Sequence, residues 1–415
     1  ALMLLLRQWK KNGDSKVLEI VEFTLQRMAL GGMYDQLGGG FHRYSVDEYW
    51  LIPHFEKMLY DNALLVRVYI EAFQATKNLF YKSIAIETLD YVLREMCSSE
   101  GGFYSAQDAD SEGEEGKFFA WTPSEICEVL GEKDGEIFSS FYGITEKGNF
   151  EKGTSALFIE KPPKKFAEDN GIEYEKLLFL LQNAKEKLFK HREKRIKPSL
   201  DDKILTSWNG LMIGSMAYAG RVLNNQNYLD FAEKSADFIL EKMWNGERFF
   251  RSYRLGEGKL NAYLDDYAFM AQGLTELYEA TFNSRWLNAA VDISHQMIEL
   301  FQDDQSGGFF FTSKDHEKLI VRKKMSQDGA IPSGNSVAVL SLLRLSRISG
   351  EVDFKKAAEK TIETFSHILD SAPAALHMML VGLDFYLDTP MEIVLSGNLE
   401  SGDTKEMLNV IHSVY

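Results

Sequence analysis

Cysteine is nearly missing from this chain. Only Cys97 and Cys127 occur in 415 residues, with no Cys-x-x-Cys pair and no spacing that suits a metal. A disulfide scaffold is thereby excluded, and a reducing, cytoplasmic setting is expected. The apolar opening at residues 1–6 is broken by Arg7, Lys10 and Lys11, which leaves it too short to span a bilayer, and it has no signal-peptide cleavage pattern. Because it starts inside an apolar helical pattern without an initiating methionine, it reads as beginning partway through a longer protein. Basic residues are in deficit, 46 against 62 acidic, and the net charge of −16 is scattered rather than blocked. Neither nucleic acid nor a membrane is therefore expected as a partner.

What the chain does have is ordinary material for a large core, with 45% hydrophobic and 26% charged residues. The densest stretch is residues 32–65, GMYDQLGGGFHRYSVDEYWLIPHFEKMLYDNALL, which crowds polar groups and aromatics between a glycine turn and a helix start. Donors, acids and flat apolar faces together suit a pocket for a small polar molecule.

The same grammar recurs. Glycine turns run into aromatic strands at Phe41, Phe103, Phe249 and Phe309. Helix starts rich in Ser, Asp and Asn follow, with Asn62, Asn209, Tyr267 and Asn335 at equivalent points. Helices that are apolar nearly all round alternate with amphipathic ones, as inner and outer helices of a layered array do. The pattern predicts six hairpins at residues 1–30, 55–98, 122–192, 204–243, 264–301 and 334–370. Closing six hairpins into an (α/α)6 toroid removes the exposed ends of an open superhelix, the alternative. The expected fold is therefore an all-α toroid with short β-hairpins over residues 1–388, interrupted by an insertion at about 105–165. Residues 389–415 read as the start of a small α/β appendage, with a strand at 391–397 and a helix at 404–412.

The long motifs, among them residues 32–65, GGFYSAQDADSEGEEGKFFAWTP, LDDKILTSWNGLM, YLDDYAFM and DGAIPSGNS, resemble the YyaL family, whose animal relatives are called spermatogenesis-associated protein 20. That resemblance implies an N-terminal thioredoxin-like domain joined to a toroid similar to N-acylglucosamine 2-epimerase and six-hairpin glycosidases. It further implies a pocket for a sugar or sugar derivative, and a thioredoxin-like domain as a possible partner. The thioredoxin-like part and its cysteine motif are absent from this sequence, so no redox role carries over.

Inner-helix N-termini converging at one mouth favour bound oxygen atoms there. His54 and Glu56 after Pro53 suit an imidazole tuned by an acid, and Asp61, Asp265 and Asp266 at helix starts supply the carboxylates that glycoside hydrolysis needs. These five are the catalytic candidates. The substrate-binding candidates are His42, Arg43, Trp50, Tyr60, Asn62, Asp108, Asp110, Asp202, Trp208, Asn209, Tyr267 and Asn335. For most of them a capping or core role competes with the functional one. Residues 108–119 imitate a calcium loop, but Phe119 stands where its bidentate glutamate belongs. No metal or cofactor is expected. The leading function is acid–base chemistry on a sugar, hydrolase-like or epimerase/isomerase-like. The alternative is a non-catalytic module that binds a ligand or docks the thioredoxin-like domain.

Overall fold

The computed structural model describes residues 1–317, 320–389, 391–399 and 401–415. Its helices are α1 (Leu2–Asn12), α2 (Ser15–Leu30), α3 (Leu59–Thr76), α4 (Leu79–Tyr91), α5 (Pro123–Leu130), α6 (Glu132–Phe141), α7 (Pro163–Asp169), α8 (Tyr174–Arg192), α9 (Thr206–Leu223), α10 (Gln226–Lys242), α11 (Leu264–Thr281), α12 (Ser284–Phe301), α13 (Gly334–Ser349), α14 (Val352–Ser371), α15 (His377–Leu387) and α16 (Gly402–Ser413). Going round the ring, α1 packs on α3, α3 on α9, α9 on α11, α11 on α13, α13 on α15, and α15 back on α1. These six are the inner wall of a closed toroid. Outside it, α2, α4, α10, α12 and α14 each pair with the inner helix that precedes them.

Local chemistry explains the hairpins. Each inner helix with an outer partner ends in a left-handed residue, namely Gly13, Lys77, Asn224, Phe282 or Gly350. The next residue starts the outer helix, and in four of five cases its side chain caps it: Asp14, Asn78, Asn225 and Asn283. A two-residue turn of this kind satisfies free N–H groups while reversing the chain. The tightest inner contact, α9 on α11, depends on glycine. A Cβ on Gly210 would stand 2.6 Å from the Phe269 carbonyl carbon, and one on Gly273 would stand 2.4 Å from the Gly210 oxygen.

All the long connections precede inner helices, so they gather at the N-terminal end of the ring. Two small antiparallel sheets line that rim. One joins Lys57–Met58, Ala106–Gln107 and Leu200–Asp201, and the other joins Ile204–Leu205, Phe250–Arg254 and Glu257–Asn261. The opposite end carries the two-residue turns.

Two expectations need correction. The segment read as a third hairpin at 122–192 is not a wall of the ring: α5 to α8 pack around a core of their own, with Trp121, Phe138, Phe141, Leu177 and Leu181 buried together. The sixth inner position belongs instead to α15. Nor do the described residues of 391–397 form a strand. A lone strand has nothing to pair with and gains no ladder. The helix expected after it is present as α16, lying across the two-residue-turn end, where the Gln74 side-chain amide donates to the His412 carbonyl at 2.6 Å.

Candidate functional site

The site residues sort into three groups once their partners are known. The first group is buried and fully used. Asn62, Asn209 and Asn335 are 0% exposed. Each takes the N–H of a strand phenylalanine on Oδ1 and returns a bond from Nδ2 to the same residue's carbonyl, pairing Asn62 with Phe41, Asn209 with Phe103 and Asn335 with Phe309. At the fourth equivalent point the Tyr267 hydroxyl accepts the Phe249 N–H at 3.4 Å. These four were expected to meet substrate; they instead staple each aromatic strand to its inner helix. Asn62 and Asn209 lie inside the first helical turn, not ahead of it, so they do not cap their own helices. His42 is likewise enclosed between Phe55 and Phe119, with Nδ1 on the Phe55 carbonyl at 2.8 Å. Burial, helped by the Lys57 charge, pushes its pKa down to about 3, so it stays neutral. It cannot serve as a substrate contact without opening the core.

Asp266 belongs to this group too. Its Oδ1 accepts the Ser207 N–H at 2.9 Å, its Oδ2 accepts the Tyr263 N–H at 2.8 Å, and Arg251 Nη1 lies 3.0 Å from both oxygens. With Tyr263 it forms a capping box at the start of α11, and no oxygen is left for chemistry.

A second group is peripheral. Trp50 sits half-buried in a loop at φ 65°, turned by Asp47, whose carboxylate accepts the N–H groups of Tyr49, Leu51 and Ile52. Asp108 and Asp110 are exposed, and Asp108 Oδ1 accepts the Asp110 N–H at 3.3 Å. Asp202 is paired with Arg254. Among the described residues no group of three or more His, Cys, Asp or Glu side chains could hold a metal.

The third group gathers at the mouth. Tyr60 and Asp61 begin α3, Trp208 begins α9 and Asp265 begins α11, three successive inner helices. Tyr60 meets Trp208 edge to face, with ring centroids 4.7 Å apart. Arg43 pairs with Glu56 at 2.8 Å, close enough to Tyr60 for the two to interact electrostatically. His54 Nδ1 lies 2.6 Å from Glu115 Oε1 and Nε2 3.6 Å from Glu56, which ties the imidazole to acids on both sides. The two other carboxyl groups are different. Asp61 Oδ2 has no hydrogen-bond partner, and neither has Trp208 Nε1. Burial pushes the Asp61 pKa up to about 8, outweighing the Arg43 charge. Burial and the neighbouring Asp266 charge push Asp265 up to about 7, while the Gly334 N–H and Arg251 hold it below that of Asp61. With such values Asp61 is mostly protonated near neutral pH, while Asp265 is divided between its two forms.

Two features went unread in the sequence. Asp35 is buried between Arg192, which makes two bonds to it at 2.8 and 2.9 Å, and Lys57 at 2.9 Å. Burial pushes the Lys57 pKa down to about 8, against the pull of Asp35. The second is the lumen itself. A cavity of about 590 Å³ fills the half of the ring nearer the two-residue turns, and a smaller one of about 200 Å³ lies toward the mouth beside His377 and Pro332. Neither cavity is lined by Asp61 or Asp265. Charged residues within otherwise apolar inner helices, such as Arg67 with Glu71 and Arg344, were the available signal.

Comparison with known proteins fits this architecture. No protein-family model matches the chain. Human spermatogenesis-associated protein 20 is 36% identical over 436 aligned residues, which take in 97% of this chain and 56% of that protein. An uncharacterised protein of Caenorhabditis elegans is 32% identical, covering 94% of this chain and 58% of its own length. The chain thus spans little more than half the length of these relatives. Among solved structures, the cellobiose 2-epimerase of Bacillus thermoamylovorans B4167 superposes with a TM-score of 0.55 over 88% of this chain and 74% of its own, at 12% identity. At that identity the likeness shows a shared fold.

Proposed function

Along 97% of its length the chain is a homologue of spermatogenesis-associated protein 20, built as a toroid with six inner helices, and from that premise we propose that it acts on a carbohydrate by carboxylic acid–base chemistry at the toroid mouth. The carrying observation is Asp61: a half-buried carboxyl with an unpartnered oxygen and a pKa near 8, beside an aromatic pair. Below that pH it is a proton donor. Asp265, with a pKa near 7, is the group that ionises first.

Glycoside cleavage needs this division, with one carboxyl protonated and the other ionised. In this reading Asp61 delivers a proton to the leaving glycosidic oxygen, while ionised Asp265 either takes a proton from the attacking water or attacks the anomeric carbon itself. In the second case Asp61, now ionised, takes a proton from the water that cleaves the glycosyl ester and frees Asp265. Trp208 and Tyr60 offer apolar faces to the sugar ring, and Trp208 Nε1 a donor. A two-base epimerisation fits less well, because Asp61 is protonated at neutral pH and His54 is held by Glu115 and Glu56. The cellobiose 2-epimerase likeness supports a sugar as the ligand class, not that reaction. Since the chain spans 56% of the human relative, a thioredoxin-like domain completing or covering the mouth is part of the proposal. The competing non-catalytic docking module makes a different forecast: no glycoside is turned over, whether or not a sugar binds. A screen of nitrophenyl glycosides with the full chain, at pH 7 to 8, tests the proposal. Turnover lost in Asp265→Asn supports it, and absence of turnover across the panel overturns it.

A further inference from the structure

The mouth does not account for the cavity inside the ring. That space lies at the opposite end of the lumen, about 590 Å³, lined by the C-terminal halves of all six inner helices and roofed by Val414 and Tyr415. Most of its charged residues are paired: Arg7 and Lys11 share Asp384, Lys11 also reaches Asp388, and among the described lining residues Lys10 is exposed without a carboxylate partner. Arg344 donates to Glu276 and Glu279 at 2.6 Å each, Arg221 donates to Glu279 at 2.7 Å, and Arg67 donates to Glu71 at 2.7 Å and lies 3.0 Å from Glu276. Burial works against the Glu276 charge, but Arg344, Arg67 and Arg221 together hold its pKa well below the usual carboxylate range. Each guanidinium is thus already matched to carboxylates. An anionic ligand would have to displace them, which is costly for buried pairs.

What remains is hydrogen-bonding capacity on Gln272 and, beside its ion pairs, on the ionised Glu276. Glu276 is 1% exposed, and its Oε2 makes no hydrogen bond, although Arg221 stands 3.2 Å away. Gln272 lies one turn before it on α11, and its buried Oε1 has no partner. Tyr218 adds an aromatic wall, its ring stacked under the Arg67 guanidinium at 3.5 Å. A surface with its buried charges paired, an unspent amide acceptor and an aromatic side chain is suited to a molecule rich in hydroxyl donors. We propose that this basin is a second binding site, for a neutral polyhydroxylated molecule of mono- or disaccharide size, separate from the mouth. Hydroxyl groups of that molecule bond the Gln272 amide and the Glu276 carboxylate, and a sugar face lies on the Tyr218 side.

The test is calorimetric titration of the full chain with glucose, cellobiose and sorbitol, alongside gluconate and glucose 6-phosphate. Gln272→Leu removes the amide, and Leu340→Trp fills the basin from α13. Asp61→Asn serves as the mouth control. A neutral ligand whose affinity falls tenfold or more in Gln272→Leu, and is unchanged in Asp61→Asn, supports the basin. Should Leu340→Trp fail to fold, Gln272→Leu decides alone. Binding weakened only by Asp61→Asn overturns the basin and leaves the mouth standing. Preference for the anionic sugars, or no binding of any neutral polyol, also overturns it.

Discussion

Asn209 holds Phe103 from both sides: the Phe103 N–H donates to Asn209 Oδ1 at 2.8 Å, and Asn209 Nδ2 donates to the Phe103 carbonyl at 3.0 Å. The same amide also donates to the Leu205 carbonyl at 2.9 Å, so one side chain satisfies three backbone groups across 106 residues of sequence. Asn209→Ala leaves a buried N–H and C=O unpaired, each worth about 1–3 kcal/mol. A loss of about 3 kcal/mol is expected in urea denaturation. Asn209→Asp keeps the acceptor but loses both donors and buries a charge, so it should be no more stable than the alanine variant. If Asp were tolerated, the two-way staple would not matter.

That staple shows what the sequence could and could not disclose. The spacing of Phe41, Phe103, Phe249 and Phe309 against Asn62, Asn209, Tyr267 and Asn335 was visible, and it marks the repeat correctly. Its purpose was not visible, because an asparagine near a helix start reads equally as a cap, a ligand contact or a long-range clamp. The 122–192 region misled for a related reason. Periodicity reveals that a helix buries one face, not which partner covers it, and α5 to α8 cover one another. The helix α15 escaped notice because its eleven residues are apolar nearly throughout and lack a side-chain cap. Adjacent Asp265 and Asp266 could not be told apart until Arg251, Ser207 and Tyr263 were seen to engage only the second.

Arg192 ends α8 and reaches into the ring to bind Asp35, so it ties the inserted lobe to the toroid. Arg192→Leu leaves Asp35 with Lys57 as its cation and the Leu37 and Gly38 N–H groups as its other donors. Removing one partner from a buried ionic set costs about 3–5 kcal/mol. The expected results are a lower melting temperature and faster proteolytic cutting between residues 100 and 200. Unchanged proteolysis would show that the lobe is held by its apolar contacts instead.

The raised pKa of Asp61 has a consequence for stability. Its folded value is near 8, while an unfolded aspartate titrates near 3.9. The folded state therefore binds the proton more tightly. The stabilisation is complete below about pH 4 and is lost as pH rises through 8. Asn cannot ionise, so Asp61→Asn should match the parent chain at pH 4 and melt higher by about 2 °C or more at pH 8. A difference that is constant with pH would mean the carboxyl titrates normally.

The acid role assigned to Asp61 separates from the role of Asp265 by leaving group. A glycoside with a poor leaving group needs a proton on the departing oxygen, whereas a dinitrophenolate departs without one. Asp61→Asn should therefore slow an alkyl glycoside by about 10²–10⁴-fold, the usual worth of a positioned acid. The same variant should keep close to the parent kcat/KM on a dinitrophenyl glycoside, since that ratio reports the bond-breaking step, which then needs no acid. Asp265→Asn should lose both, because the base or nucleophile is needed whatever departs. The pH profile of the parent chain follows from the same two groups. Activity rises as Asp265 ionises near 7 and falls as Asp61 loses its proton near 8, a narrow bell between them. In Asp61→Asn, assayed on the dinitrophenyl substrate, the alkaline limb should vanish while the acid limb stays. An alkaline limb that persists in that variant would take the acid role away from Asp61.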